Sequence, residues 1–501
     1  MADLYLEKKN ETFLTIKGEE YILQELNDAY TFFANGYRFH KLYKQKIWDG
    51  KIRLLKRKSK TRAEMYIGLQ DNIIEFCRNR NYSVEYTKEK NKIDTKIINN
   101  YINNLNLTSQ GNPLILRDYQ IKGIIDGIQN KRHLLLSVTS SGKSVILYSI
   151  IRYLLDNNKK CLLLVPNVSL IFQIICDFKD YSSENNFDCD KNTHLIYSGQ
   201  ERYTDKSLTI STWQNISVLL KNNTEEYLNL LSNVDCIFAD EAHLVNGTEL
   251  TKIFESCVNA EYRIGTTGTL TNCLADINEL IGLIGPINKL NTTKELINKK
   301  QISDIRIKCL VLRYNEKTSY SIKKFTYQNE VKFLVSNKQR NVFIKNLAIS
   351  MKNNTIILCN YIEHMKMLYE LITQSKHLGD RKVYLVYGAI EAERREEIRN
   401  LIETEENSII IGSSAIMGTG ISIKSLHNII FASAGKSKIR TLQSIGRALR
   451  LHKSKHHAVL YDICDDLSYK KHVNFSVKHF IERIKLYNQE QFDYKLININ
   501  F

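Results

Sequence analysis

Val138-Thr139-Ser140-Ser141-Gly142-Lys143-Ser144 lies between an apolar run at 133–138 and a second apolar run at 145–155 with helical spacing. A strand that turns into a helix at Gly-Lys-Ser is the core of a phosphate-binding loop. Backbone N–H groups at the helix N-terminus face phosphate oxygens, the lysine reaches the β and γ oxygens, and the next hydroxyl serves Mg2+. The pattern assigns Thr139, Ser140, Ser141, Gly142, Lys143 and Ser144 to a nucleotide, and Ser144 to the metal as well. The first glycine of the general pattern is replaced by Ser137. Gly-Lys-Ser alone is common in loops; the strand and helix on either side carry the reading.

Asp240 follows Lys143 by 97 residues, at the end of Ile237-Phe238-Ala239 and ahead of Glu241-Ala242-His243. An apolar strand ending in Asp-Glu is where a nucleotide hydrolase needs its acids. Asp240 would hold Mg2+ and Glu241 would orient and deprotonate the attacking water. One acidic pair at a strand end is ordinary. Together with the phosphate loop it implies ATP hydrolysis, with ATP and Mg2+ as the groups bound.

Working outward, apolar runs at 133–138, 161–165, 207–211, 236–239 and 262–265 alternate with amphipathic stretches. Runs bounded by helical patterns read as buried parallel strands. The alternation fades near Pro286, then resumes at 305–312, 355–359, 383–387, 408–411, 428–432 and 458–462. Two successive α/β domains are the simplest account. Residues 85–112 are rich in Lys, Asn and Asp and end in the break Gly111-Asn112-Pro113, which places the end of an N-terminal domain at 112. The expected organisation is 1–112, 113–295, 296–465 and a helical tail at 466–501. The tail's aromatic residues, at near-helical spacing, are read as packing on the second α/β domain in preference to contacting a partner.

The 501 residues carry 71 Lys plus Arg and 54 Asp plus Glu, a formal net charge of +17. From 37 to 62 there are 11 basic residues and one acid, a local net of +10. Phe32, Phe33, Tyr37, Phe39, Tyr43 and Trp48 are interleaved with this charge or border it. Cations neutralise phosphates and flat rings stack on bases, so Arg38, Lys41, Lys44, Lys46, Trp48, Lys51 and Arg53 are candidate nucleic-acid contacts. A solvated basic hairpin whose rings are core is the plainer alternative. Ten cysteines, none closer than 13 residues to the next, exclude CxxC and zinc-finger spacings and read as reduced, mostly buried thiols. His456-His457 is an isolated pair with no ligand spacing. The N-terminus lacks a signal-peptide pattern, and no uncharged apolar run reaches membrane-spanning length. A cytoplasmic location is expected, that of the host cell if the chain is phage-encoded.

The same residues resemble the motifs of the superfamily-two helicases. Leu116-Arg117-Asp118-Tyr119-Gln120 resembles the adenine-recognition motif, with Gln120 on the base edge. Leu163-Leu164-Val165-Pro166 and Ser211-Thr212-Trp213-Gln214 resemble two backbone-contacting motifs, which implies nucleic-acid contact at Pro166, Thr212 and Trp213. Thr266-Thr267-Gly268-Thr269 stands where the family usually has Ser-Ala-Thr. Tyr387-Gly388 with Arg394 and Arg395 resembles the fourth motif. Residues 413–421 resemble the fifth, implying DNA contact at Ser414 and nucleotide contact at Gly420. Gln443-Ser444-Ile445-Gly446-Arg447-Ala448-Leu449-Arg450 resembles the sixth, with Gln443 in the catalytic set and Arg447 and Arg450 as arginine fingers on one helix face.

Within that superfamily the chain is similar, over nearly its whole length, to the recombination helicases of T-even phages. Residues 34–39, 48–55, 420–427 and 436–438 carry this narrower likeness. It implies an α/β chain of two tandem RecA-like parallel-sheet domains preceded by a small α+β N-terminal DNA-binding domain. It further implies a 3′-to-5′ DNA helicase acting on branched DNA, R-loops and D-loops in recombination, replication and repair. DNA, single-stranded or branched, would be the partner, with recombination or single-strand-binding proteins beside it. An RNA helicase, a restriction-system motor and an annealing protein whose ATPase only toggles affinity remain the alternatives at the level of sequence.

Overall fold

The computed structural model describes residues 2–87, 93–197, 205–222, 224–244, 249–271, 273–387, 397–398, 401, 404–413, 425–433, 445–446, 455 and 457–501. These divide into two compact units, 2–137 with 142–290, and 138–141 with 291–501.

The first unit holds two sheets. The N-terminal sheet runs Lys56–Arg57, Arg62–Tyr66, Phe13–Gly18, Leu4–Lys8, Val84–Tyr86, antiparallel except where Leu4–Lys8 meets Val84–Tyr86. Its strands alternate buried and exposed residues, as a sheet with one wet face must. Helices Glu20–Ala29 and Gln70–Asn79 bury Ile22, Leu23, Leu26, Ile73 and Phe76. The second sheet is parallel throughout, in the order Thr193–Ile196, Leu208–Thr212, Cys161–Val165, Cys236–Asp240, Tyr262–Thr267, Arg132–Leu136, Ile287–Lys289. Numbered in chain order, that is 3-4-2-5-6-1-7.

The second unit repeats this order. Its parallel sheet runs Val383–Val386, Ile409–Ser413, Thr355–Cys359, Asn428–Phe431, His457–Asp466, Asp304–Arg313, Tyr494–Asn500, again 3-4-2-5-6-1-7. Two RecA-like domains of the same topology therefore follow the N-terminal module. The central strands Cys161–Val165 and Thr355–Cys359 are buried at every residue, because helices cover both faces.

Two segments pack differently from expectation. Helix Thr95–Asn104 buries Ile98 and Ile102 in the same cluster as Ile124, Tyr148 and Leu163, so 93–112 covers the first RecA-like sheet and does not close the N-terminal module. Its Asn and Lys residues disguise an apolar stripe at i, i+4 and i+7, Ile98, Ile102 and Leu105. Residues 466–501 are not only helical. Helix Phe475–Gln489 leads into Tyr494–Asn500, which adds an edge strand beside Asp304–Arg313.

The N-terminal module is fastened to the first parallel sheet by one continuous apolar core, in which Leu4, Ile16 and Tyr66 join Leu134, Leu283 and Ile284. Buried within it, Arg263 spends all three guanidinium nitrogens. Nε donates to the Ala260 carbonyl, Nη1 to those of Phe254 and Leu283, and Nη2 to Thr12 Oγ1 and the Cys257 carbonyl. Around it, Arg132 pairs with Glu11 at 3.1 Å and Tyr66 donates to Glu255 at 2.7 Å. A Cβ on Gly68 would stand 2.1 Å from the Ile281 carbonyl oxygen, so only glycine permits this approach. No helix among the described residues is long and apolar enough to cross a membrane.

Candidate nucleotide and nucleic-acid site

The phosphate-loop sequence and the Asp-Glu pair stand at the C-terminal ends of parallel strands. Strand Arg132–Leu136 leaves the sheet at Ser137, whose N–H donates to the Thr267 carbonyl at 3.0 Å. The chain turns through Ser140 at φ +70° and Gly142 at φ +83° before helix Lys143–Asp156 begins. These left-handed residues close the turn, with the Ser141 N–H donating to the Val138 carbonyl at 3.1 Å, and the helix start adds its positive end. Val138 N–H donates to Asn291 Oδ1 at 3.0 Å, and Ser140 Oγ donates to the Gly446 carbonyl at 2.8 Å within the second unit.

Gln120 stands against this loop. Its Oε1 accepts from the Arg117 N–H at 2.8 Å, which fixes the amide. A Cβ on Gly142 would lie 2.4 Å from its Nε2.

Strand Cys236–Asp240 delivers the acids. Asp240 Oδ1 accepts from Thr266 Oγ1 at 2.7 Å and from the Glu241 N–H at 3.0 Å. Glu241 adopts φ +53°, a strained setting for a side chain of its size, and its Oε1 lies 4.0 Å from Lys143 Nζ. Burial, and the Glu241 carboxylate beside it, push the Asp240 carboxyl above its ordinary range, against the pull of Lys143 and Thr266. The half-buried Asp240 carboxylate and the Ser144 hydroxyl are hard oxygen donors that suit Mg2+, and a cation there would offset the Glu241 charge beside Asp240. His243 Nδ1 lies 2.9 Å from Thr267 Oγ1 and 3.2 Å from Glu241 Oε2. Thr267 gives its own proton to the Thr269 carbonyl, so His243 Nδ1 is the donor.

One neighbour was not legible in the sequence. Tyr181, the last residue of helix Val168–Tyr181, places its hydroxyl 2.8 Å from Ser144 Oγ. No spacing rule joins two residues 37 apart on different helices.

The candidate nucleic-acid contacts divide. Pro166 and Thr212 are buried at the ends of adjacent strands, with Val165 and Thr212 in register, so they offer backbone more than side chain. Trp213 is half-buried and packs on the core. In the N-terminal hairpin Arg38, Lys41, Lys44, Lys46 and Arg53 are exposed and Lys51 is half-buried. Arg53 is paired with Asp49. The Trp48 ring meets His40 edge-on at 5.2 Å and its Nε1–H donates to the Lys51 carbonyl, so Trp48 serves the hairpin itself. Ser414, Gly420, Gln443, Arg447 and Arg450, with Gly388, Arg394 and Arg395, lie outside the described residues.

The chain is similar to known proteins over most of its length. Residues 3–87 match the model of the N-terminal domain of DNA helicase UvsW, 89–272 that of the type III restriction enzyme res subunit, and 338–452 that of the helicase conserved C-terminal domain. The ATP-dependent DNA helicase UvsW of Enterobacteria phage T4 is 32% identical over 499 residues, covering 96% of each chain. The chain belongs to the UvsW family of superfamily-two helicases. A crystal structure of T4 UvsW covers 99% of both chains at 29% identity and a TM-score of 0.52. A type ISP restriction-modification enzyme, LlaBIII bound to DNA, shares the fold over 77% of this chain and 32% of its own at 15% identity and a TM-score of 0.58. UvsW-family membership makes the chain an ATP-dependent DNA helicase, with ATP hydrolysis coupled to unwinding.

Proposed function

We propose that the chain hydrolyses ATP to move along DNA in the 3′-to-5′ direction, opening branched DNA, R-loops and D-loops in recombination, replication and repair. The observation that carries this reading is the convergence of Gln120, Gly142, Lys143, Asp240 and Glu241 at one edge of a parallel sheet. Gln120 reads the adenine edge, and Lys143 neutralises the terminal phosphates. Mg2+, held by Ser144 and Asp240, would draw charge from the phosphate oxygens. Glu241, poised 4.0 Å from Lys143, orients water and takes its proton. Gln443, Arg447 and Arg450 complete the set by motif resemblance. The module at 2–87 engages DNA through its basic hairpin, and Pro166, Thr212, Trp213 and Ser414 mark the track of a strand. Phosphate contacts make such movement indifferent to sequence.

Steady-state ATP hydrolysis with single-stranded DNA, duplex, a four-way junction and matched RNA tests the reading. Stimulation by DNA, highest on branched forms and lost in Glu241→Gln, is expected. Stimulation by RNA alone would overturn it. DNA annealing that persists in Glu241→Gln without any unwinding by the wild type would favour an annealing protein.

A further inference from the structure

The basic hairpin pairs Thr31–Phe33 with Lys51–Arg53, and residues 34–50 form its tip. Most tip rings are occupied within it. Phe33 stacks on Tyr37 at 4.6 Å, and Tyr37 meets Tyr43 edge-on at 4.8 Å. Gly50, at φ +78°, lets Tyr37 close in, since a Cβ there would stand 2.5 Å from the ring. Three large apolar side chains of the tip are exposed, Leu42 the least of them at 41%. Phe39 is 82% exposed and Ile47 71% exposed, on the same tip as the exposed Arg38, Lys41, Lys44 and Lys46.

Beside Phe39 lies an open cavity of about 440 Å3, lined by Ala34, Asn35, Gly36, Tyr37, Arg38, Phe39 and Cys273. Cys273 follows closely on Thr269, and Leu274 next to it is 62% exposed. The hairpin tip and the first RecA-like sheet's loop thus share one groove, inside a single unit with a common core. Its volume suits a group of nucleoside size. Arg38 lines it, and the exposed Lys41, Lys44 and Lys46 share its tip, so a polyanion with a flat apolar part suits it.

We propose that this groove receives an unpaired DNA base at the point where strands part, with the base stacked on Phe39 and flanking phosphates on Arg38, Lys41, Lys44 and Lys46. Ile47 then meets the last intact base pair. The inference deepens the proposed function by naming where the fork is held.

The test uses the full chain and forked DNA carrying 5-iododeoxyuridine at the fork nucleotide. Photo-crosslinking without ATP is expected to reach the segment 34–39 or Cys273, and Phe39→Ala to lower both the crosslink and the affinity for forked DNA about tenfold. Phe39→Trp is expected to restore both, which separates stacking from a folding defect. Affinity for unbranched duplex should change less than twofold in Phe39→Ala. A crosslink confined to other segments, or equal losses on fork and duplex, would overturn the proposal. Loss of self-association with no change in DNA binding would overturn it too, showing that a second copy covers the patch. Because no step needs ATP hydrolysis, failure of the motor reading would leave the crosslink intact and be recognised separately.

Discussion

The Gln120 side-chain nitrogen sits where a Cβ on Gly142 would come within 2.4 Å. The candidate adenine-recognition residue and the phosphate loop are therefore in direct contact, and the missing side chain at 142 is what lets them meet.

Gly142→Ala should consequently damage recognition as well as geometry. The position holds φ +83°, which costs an L-residue about 1–2 kcal/mol. The new methyl also displaces a buried amide that is fixed by the Arg117 N–H. Titration with a fluorescent ATP analogue is expected to show at least a tenfold loss of affinity, roughly 1.4 kcal/mol. Competition by GTP should narrow the preference for adenine. Unchanged ATP affinity would show that Gln120 does not bear on the nucleotide.

Tyr181→Phe removes one hydroxyl, the partner of Ser144 Oγ at 2.8 Å. A serine that turns a lone pair to a cation needs another acceptor for its proton, and the Tyr181 oxygen is placed to be that acceptor. Losing a neutral hydrogen bond costs about 1 kcal/mol. The Mg2+ concentration that half-saturates binding of the ATP analogue is expected to rise about fivefold, while binding of the analogue without Mg2+ stays as it was. Equal weakening with and without Mg2+ would assign Tyr181 to the fold alone.

Much of this was legible from sequence, for physical reasons. Buried parallel strands read as unbroken apolar runs, so 161–165 and 355–359 were found residue for residue. Lys143, Asp240 and Glu241 could be singled out as a set because phosphate chemistry fixes residue type and spacing along a strand end. Contacts between distant segments left no such trace. Tyr181 with Ser144 and Thr12 with Arg263 arise from how helices and modules stack. The boundary at 112 misled because Thr95–Asn104 is rich in Asn, and its apolar stripe is only two turns long. The edge strand Tyr494–Asn500 hid behind a run of aromatic residues whose spacing suits a helix.

Arg263→Met should unfasten the N-terminal module. The arginine is fully buried, and its nitrogens satisfy four carbonyls and Thr12. Removing it leaves those acceptors buried without donors, at a cost of about 3–5 kcal/mol. Thermal unfolding is expected to shift down by about 10 °C. Thr12→Val removes one acceptor of Arg263 Nη2 and the longer bond from Thr12 Oγ1 to the Glu255 carbonyl, about 1 kcal/mol each, and leaves the Arg132–Glu11 and Tyr66–Glu255 contacts in place. In that variant limited proteolysis is expected to attack the module at 2–87 faster than in wild type, before global stability falls. An Arg263→Met chain as stable as wild type would contradict the role assigned to this arginine.

His364 supplies a pH dependence whose sign follows from its partners. Asn341 donates its Nδ2 to the Val335 carbonyl, so its Oδ1 faces His364 Nε2 at 2.9 Å and that nitrogen carries the proton. Nδ1, 3.1 Å from Ser433 Oγ, is then the acceptor and has no room for a second proton without losing this bond. Burial, helped by the Arg340 charge, pulls His364 from 6.5 down to about 3. Above pH 6.5 the ring is neutral in both folded and unfolded chains, and the contribution is constant. Between 6.5 and about 3 only the unfolded chain takes up the proton, so stability falls as pH falls, at up to about 1.4 kcal/mol per unit. Below about 3 the ring is charged in both and the slope vanishes. Denaturant unfolding followed from about pH 7 to about pH 4 is expected to be steeper for wild type than for His364→Gln, which keeps an amide donor and does not titrate. Parallel curves would place the acid sensitivity elsewhere in the second unit.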